Sequence, residues 1–88
     1  MISNNYVILS PMGLHARPAT ELLRTIKKFK SAVTLKAGEK SSLVKGILSI
    51  LTLSAQSGDE ISVTIEGEDE NEASKALDEF FKVKIKEL

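Results

Sequence analysis

Apolar and polar residues change their spacing several times along the chain, and each change marks an element. Tyr6-Val7-Ile8-Leu9 is a short apolar run closed by Ser10-Pro11, which predicts a first strand. From Ala16 onward, Ala19, Leu22, Leu23, Ile26 and Phe29 recur at helical spacing and form one face. Pro18 falls in the first turn of that helix, where its missing N–H has no intrahelical partner to lose. The opposite face carries Arg17, Thr20, Glu21, Arg24, Lys27 and Lys28. Val33 and Leu35 then alternate with Thr34 and Lys36, Ala37-Gly38-Glu39 supplies a turn, and Leu43-Val44 ends a second run: a hairpin.

Ile47–Leu53 is apolar nearly all round, and over so few residues the spacing fits helix or strand equally. Gly46 can serve there as a helix N-cap, less well than Ser or Asp. Ser57-Gly58-Asp59 turns the chain, after which Ile61, Val63 and Ile65 alternate cleanly as a strand. Asp69, three residues before Glu72, has the form of a capping box. Ala73, Ala76, Leu77, Phe80, Phe81, Ile85 and Leu88 then trace one long amphipathic helix, its acidic start and Lys82, Lys84 and Lys86 suiting the helix dipole. The order β-α-β-β-α-β-α predicts a two-layer α/β open-faced sandwich, a sheet with helices on one face.

Eighty-eight residues predict one domain spanning 1–88, with a modest core. The chain has no cysteine and one histidine, which excludes disulfides, thiolate metal sites and multi-histidine zinc arrangements; neither metal nor cofactor is expected. No apolar run reaches membrane-spanning length and the first residues do not resemble a signal peptide, so a cytoplasmic protein without membrane insertion is expected.

The formal net charge of zero conceals a polarised chain. Residues 1–46 hold eight Lys/Arg against two Glu, or +6, whereas residues 47–88 hold four Lys against ten acidic residues, or −6. A basic half of this kind can steer an acidic partner.

The single histidine, His15, lies in that basic half, directly before the first helix. A helix start offers unpaired N–H groups and a positive dipole end, which together attract an anion. Imidazole is a nucleophile in its neutral form near pH 7. Arg17, two residues on, adds a planar guanidinium suited to phosphate oxygens. Nucleophile, anion cradle and guanidinium point to the carriage of a phosphoryl group.

The full run at 13–19, Gly-Leu-His-Ala-Arg-Pro-Ala, resembles the active-site signature of the HPr family, the histidine phosphocarriers of the bacterial phosphoenolpyruvate-dependent phosphotransferase system. Chain length and the Gly-Glu-Asp-Glu-Asn-Glu-Ala run at 67–73 extend the resemblance over nearly the whole chain. The resemblance implies a four-stranded antiparallel sheet of order 1-4-2-3 covered on one face by three helices. It further implies a non-enzymatic carrier whose His15 takes a phosphoryl group on Nδ1 from Enzyme I and passes it to Enzyme IIA components. The N–H groups of Ala16 and Arg17, with the Arg17 side chain, would stabilise that group. Thr20, Arg24 and Lys27 on the first helix, with Leu48, Leu51 and Thr52 on the second, match the family's docking positions.

On a helical wheel Ile47, Ile50 and Leu53 form the core side, leaving Leu48 and Leu51 off it. Met12 and Leu14 are expected to pack or to meet a partner, and Gly13 is equally an ordinary loop residue or a required turn. Gram-positive family members carry a regulatory serine after the lysine matching Lys45; here that position is Gly46, which has no hydroxyl. No serine regulation is expected there, and a monomer is. The rival readings are a non-covalent regulatory adaptor of the same fold and a nucleic-acid-binding module using the basic helix. Retention of His15 and Arg17 opposes the first, and the scarcity of aromatics for stacking on bases opposes the second.

Overall fold

The computed structural model describes residues 1–88. Four strands, β1 (Ile2–Val7), β2 (Ala32–Ala37), β3 (Lys40–Leu43) and β4 (Glu60–Glu66), form one antiparallel sheet in the order β1-β4-β2-β3. Three helices, α1 (Ala16–Lys27), α2 (Ile47–Leu51) and α3 (Glu70–Lys82), cover one face. The antiparallel 1-4-2-3 sheet and its helical layer agree with the architecture that the resemblance implied.

The core forms where strand alternation meets the helix stripes. Val33, Leu35, Ile61, Val63 and Ile65 point inward, against Leu22 and Ile26 of α1 and Leu77, Phe80 and Phe81 of α3; all belong to one cluster of 19 buried residues. The other sheet face is open and polar. There the Ser3 and Thr64 hydroxyls lie 3.1 Å apart, and the Ser62 hydroxyl donates to the Asn5 side chain at 2.8 Å. At the seam between β1 and α3, the Tyr6 ring stacks on Phe81 at 4.8 Å and its hydroxyl donates to Asp78 at 3.1 Å. Burial, then the neighbouring Asp78 carboxylate, pushes the Tyr6 phenol up to about 12.

Several boundaries differ from the sequence reading. Strand β1 spans Ile2–Val7 rather than 6–9, because the polar Ser3 and Asn5 occupy the open face and break the apolar run without breaking the strand. Ile8 keeps two backbone bonds to the turn before β4, donating to Asp59 at 2.8 Å and accepting from Gly58 at 2.9 Å. Helix α1 stops at Lys27, so Phe29 packs on the core from the following turn. Helix α3 stops at Lys82, and Ile85 reaches the core from a separate 3-10 turn, Lys84–Glu87.

The capping box at Asp69 does not form. Asp69 is the N-cap residue of α3, but its carboxylate turns away to the α1–β2 connection. It accepts from the backbone N–H groups of Lys30 and Ser31 at 2.8 and 2.9 Å and from the Ser31 hydroxyl at 2.6 Å. Glu70, not Glu72, reaches back to the Gly67 N–H at 3.1 Å. A carboxylate holding three donors ties two distant loops, a tertiary use that outweighs the local cap.

Those hydrogen bonds, the Ser31 hydroxyl foremost, hold the Asp69 carboxyl below the ordinary aspartate value. A depressed native pKa gives stability that is complete above the unfolded value, about pH 4, and is lost as pH falls through the native one. We therefore expect Asp69→Asn to melt below the parent protein at pH 7, and the gap to narrow as melts are repeated from pH 5 down to pH 3. A constant gap across that range would assign the effect to packing rather than to charge.

Candidate phosphoryl-transfer site

The loop from Ile8 to His15 carries the site, and two backbone features fix it. Ser10 to Gly13 form a tight turn, closed by the Gly13 N–H donating to the Ser10 carbonyl at 3.1 Å, with Pro11 at its second position. Gly13 has φ +73° and lies against the 55–56 backbone: a Cβ there would stand 2.5 Å from the Ala55 carbonyl oxygen and 2.7 Å from the Gln56 Cα. The next residue, Leu14, is buried and donates its N–H to that same Ala55 carbonyl at 2.9 Å. Gly13 is thus required by close approach as well as by its dihedral.

His15 follows as the N-cap residue of α1, in extended conformation, with no side-chain bond to the helix. Its ring is half-buried, and Nε2 is buried without a hydrogen-bond partner. The N–H groups of Ala16 and Arg17, both exposed residues, have no partner within the protein; the first helical bond is Ala19 N–H to the His15 carbonyl at 3.0 Å. Arg17 has neither a hydrogen bond nor an ion pair. A half-buried imidazole, two vacant backbone donors and an uncompensated guanidinium therefore share one helix start.

The remaining candidates lie on α1 and on α2, which packs beside it. Thr20 is half-buried and spends its hydroxyl on the Ala16 carbonyl at 2.7 Å, which leaves its methyl group for contact. Arg24 is exposed but paired to Glu21 at 2.7 Å, while Lys27 is exposed and unpaired. Leu48 projects from α2 at 71 % exposure, with Thr52 exposed at the helix C-cap. Leu51 does not join it on the open side: it is half-buried against the core. Ile47, expected inside, is also only half-buried, so Ile50 and Leu53 are the fully buried anchors of this segment. The apolar centre of the candidate docking face is therefore Leu48, with Leu51 contributing an edge.

Gly46 is the N-cap of α2 and offers no side-chain bond; the Ser49 hydroxyl instead accepts the Lys45 N–H at 3.3 Å. Sequence reasoning missed Ser54, whose φ of +53° is strained for a non-glycine residue and is not signalled by local spacing. Of the two residues expected to pack or to meet a partner, Leu14 is buried and Met12 is exposed.

The structure is a small open-faced sandwich with its lone histidine at a helix start that lacks a side-chain cap. Comparison with known proteins gives it a family. The family model described as PTS HPr component phosphorylation site matches residues 2–83. The phosphocarrier protein HPr of Xylella fastidiosa (strain 9a5c) is 36 % identical over 87 residues, covering 99 % of this chain and 98 % of its own. The phosphocarrier protein HPr of Lysinibacillus sphaericus is 35 % identical over 77 residues, or 88 % of each chain. A crystal structure of HPr from Thermoanaerobacter tengcongensis superposes with a TM-score of 0.90 at 34 % identity, covering 97 % of this chain and 96 % of that one. The chain belongs to the HPr family, and its role is that of a phosphocarrier of the phosphotransferase system, not of an enzyme. No helix is long and apolar enough to cross a membrane.

The two sides of α2 separate in a stability measurement. Leu48→Ala should change the unfolding free energy by no more than about 0.5 kcal/mol, as for an exposed side chain. Ile50→Ala, at a fully buried position, should cost about 2–5 kcal/mol. Denaturant titration of the two variants beside the parent protein checks both values.

Proposed function

We propose that His15 is the phosphoryl acceptor of this carrier, taking the group on Nδ1 from phosphorylated Enzyme I and handing it to an Enzyme IIA component. The observation that carries this reading is the burial of Nε2, which has no hydrogen-bond partner and so leaves Nδ1 as the nitrogen to meet a donor. A neutral imidazole has one N–H and one lone pair. With the proton on Nε2, the lone pair lies on Nδ1 and faces the incoming phosphorus. The P–Nδ1 bond forms as the bond from phosphorus to the donor's leaving atom breaks, and the donor keeps the electron pair. Transfer onward reverses these roles.

Little covalent chemistry is asked of the protein; positioning and charge carry the reaction. The vacant N–H groups of Ala16 and Arg17 and the Arg17 guanidinium meet the phosphoryl oxygens with charge-assisted bonds. Their small number suits a carrier, because each such bond is worth about 1.5–3 kcal/mol and a closed cage of them would retain the group. Arg17 and Lys27 stand unpaired along α1 and draw an acidic partner surface to this face, while Leu48 supplies its apolar centre, with Thr20, Arg24, Leu51 and Thr52 around it. Charge steers the encounter and the apolar contact holds it, an arrangement suited to brief complexes. Gly46 leaves no acceptor for a serine kinase at the α2 N-cap. The protein works as a soluble cytoplasmic monomer of one domain.

Incubation with phosphoenolpyruvate and Enzyme I should add one phosphoryl group, labile to acid and stable to base. His15→Ala should abolish it, and an acid-stable adduct or one that survives this substitution would refute the assignment. Arg17→Ala should fold normally yet slow transfer by about 10- to 150-fold, the loss of one charge-assisted contact. Arg17→Lys should recover only part of that rate, because a point charge lacks the planar fork. Rapid-quench measurement of phosphohistidine formation distinguishes the three proteins.

A further inference from the structure

We infer that the outer edge of β1 is an interaction surface for a second copy of this chain, which pairs with it antiparallel about a two-fold axis at Asn5. The Ile8 N–H donates to the Asp59 carbonyl and so points towards β4. Backbone direction alternates along a strand, so Tyr6, Asn4 and Ile2 share that direction, while Val7, Asn5 and Ser3 turn their N–H and C=O groups outward. β1 ends the sheet, and these three residues are exposed. The strand pairs with β4 residue for residue, with no bulge to twist its edge away. Folded proteins blunt such edges by shortening them or with charge or proline, lysine above all. The opposite edge follows that rule, since β3 is four residues long and starts at Lys40. β1 does not: the chain has 12 Lys/Arg and 12 Asp/Glu, yet none precedes Arg17, and the first proline is Pro11.

A second copy is the occupant that this edge selects. With Asn5 opposite Asn5 of the second copy, Ser3 faces its Val7 and Val7 its Ser3, and every outward N–H meets an outward C=O. Val7, an exposed apolar side chain on the open face, gains a neighbour there. The helical face agrees. Helix α3 runs parallel to β1, because Asn4 donates to Ser74 at 3.3 Å and Tyr6 to Asp78 at 3.1 Å. The two-fold therefore sets the two α3 helices antiparallel, the acidic start of each (Glu70, Glu72) towards the other's basic end (Lys82, Lys84, Lys86). Opposite charges and opposed dipoles favour that order. β1 leads out of the pair into the Ser10–His15 loop, so the two histidines lie at opposite ends and outside it. Each chain still carries its phosphoryl group alone; pairing is a separate property, independent of the carrier reading.

The test is sedimentation equilibrium of the parent protein, Asn5→Lys and Asn5→Glu, each alone and the two variants mixed. The parent should dimerise with a dissociation constant between about 1 µM and 1 mM, as a small interface allows. Asn5 is exposed and its one side-chain bond, from the Ser62 hydroxyl, lies in solvent, so both variants should keep the fold and melt close to the parent. Each variant alone should dimerise at least about fivefold more weakly, because like charges face each other across the axis. An equimolar mixture should regain the parent's affinity or exceed it, since Lys then faces Glu. Only a residue on the axis meets its own copy, so this recovery is specific to the register. In the parent, amide shifts that depend on concentration should mark Ser3, Asn5 and Val7 ahead of Asn4 and Tyr6. A parent protein that stays single up to about 1 mM overturns the inference. So does a dimer indifferent to both charges, whether formed by another face or by exchange of strands, and so does a mixture no tighter than its parts.

Discussion

The contact between Gly13 and the backbone at Ala55 and Gln56 is the constraint from which the site follows. A β-carbon at 13 would overlap the Ala55 carbonyl oxygen, so two loops approach as closely as backbone permits. The same carbonyl takes the Leu14 N–H, and Leu14 is buried beneath. The chain then has one residue, His15, in which to turn into α1. That residue takes an extended conformation with no side-chain cap bond, which leaves the Ala16 and Arg17 N–H groups vacant. A capping serine at 15 would have stabilised α1 by about 1 kcal/mol. The protein forgoes this, and the helix end stays open beside the lone histidine.

The remaining architecture supports that arrangement from both sides. Helix α2 is barely longer than one turn and is held by Ile50, with Leu53 just beyond it. Being so short, it can bury one side and offer Leu48 on the other. Below, the core fixes α1 against the sheet through Leu22 and Ile26. At the far end of α1, Asp69 gathers the Lys30 and Ser31 donors and ties the α1–β2 connection to the start of α3. Both ends of α1 are therefore set by contacts distant in sequence, and with them the direction of its dipole.

Much of this was legible in the residues. The 3.6-residue stripe from Ala19 to Ile26 and the alternation Ile61-Val63-Ile65 specify a helix and a strand on their own, because each pattern buries one face only in that conformation. Pro18 marks the first turn of α1, and the run at 13–19 marks the chemistry. The absence of cysteine and the single histidine narrow the chemistry to one nucleophile of this type. The polarity of the two halves likewise depends only on counting charges.

Tertiary structure decided the rest, and in each case a contact distant in sequence overrode a local preference. Asp69 has the spacing of a capping box, yet the Ser31 hydroxyl and two backbone N–H groups from another loop give its carboxylate stronger partners. Leu51 falls off the core side of a helical wheel, yet it is half-buried and packs against the core. Sequence leaves Gly13 equally an ordinary loop residue or a required turn; only the approach of residues 55–56 makes it obligatory. Burial of Nε2 on His15 depends on the packing around one ring. Sequence determined most of the elements and the one candidate imidazole, because those follow from spacing and residue type. Which ring nitrogen is buried, and which apolar residues remain outside, depended on how those elements pack.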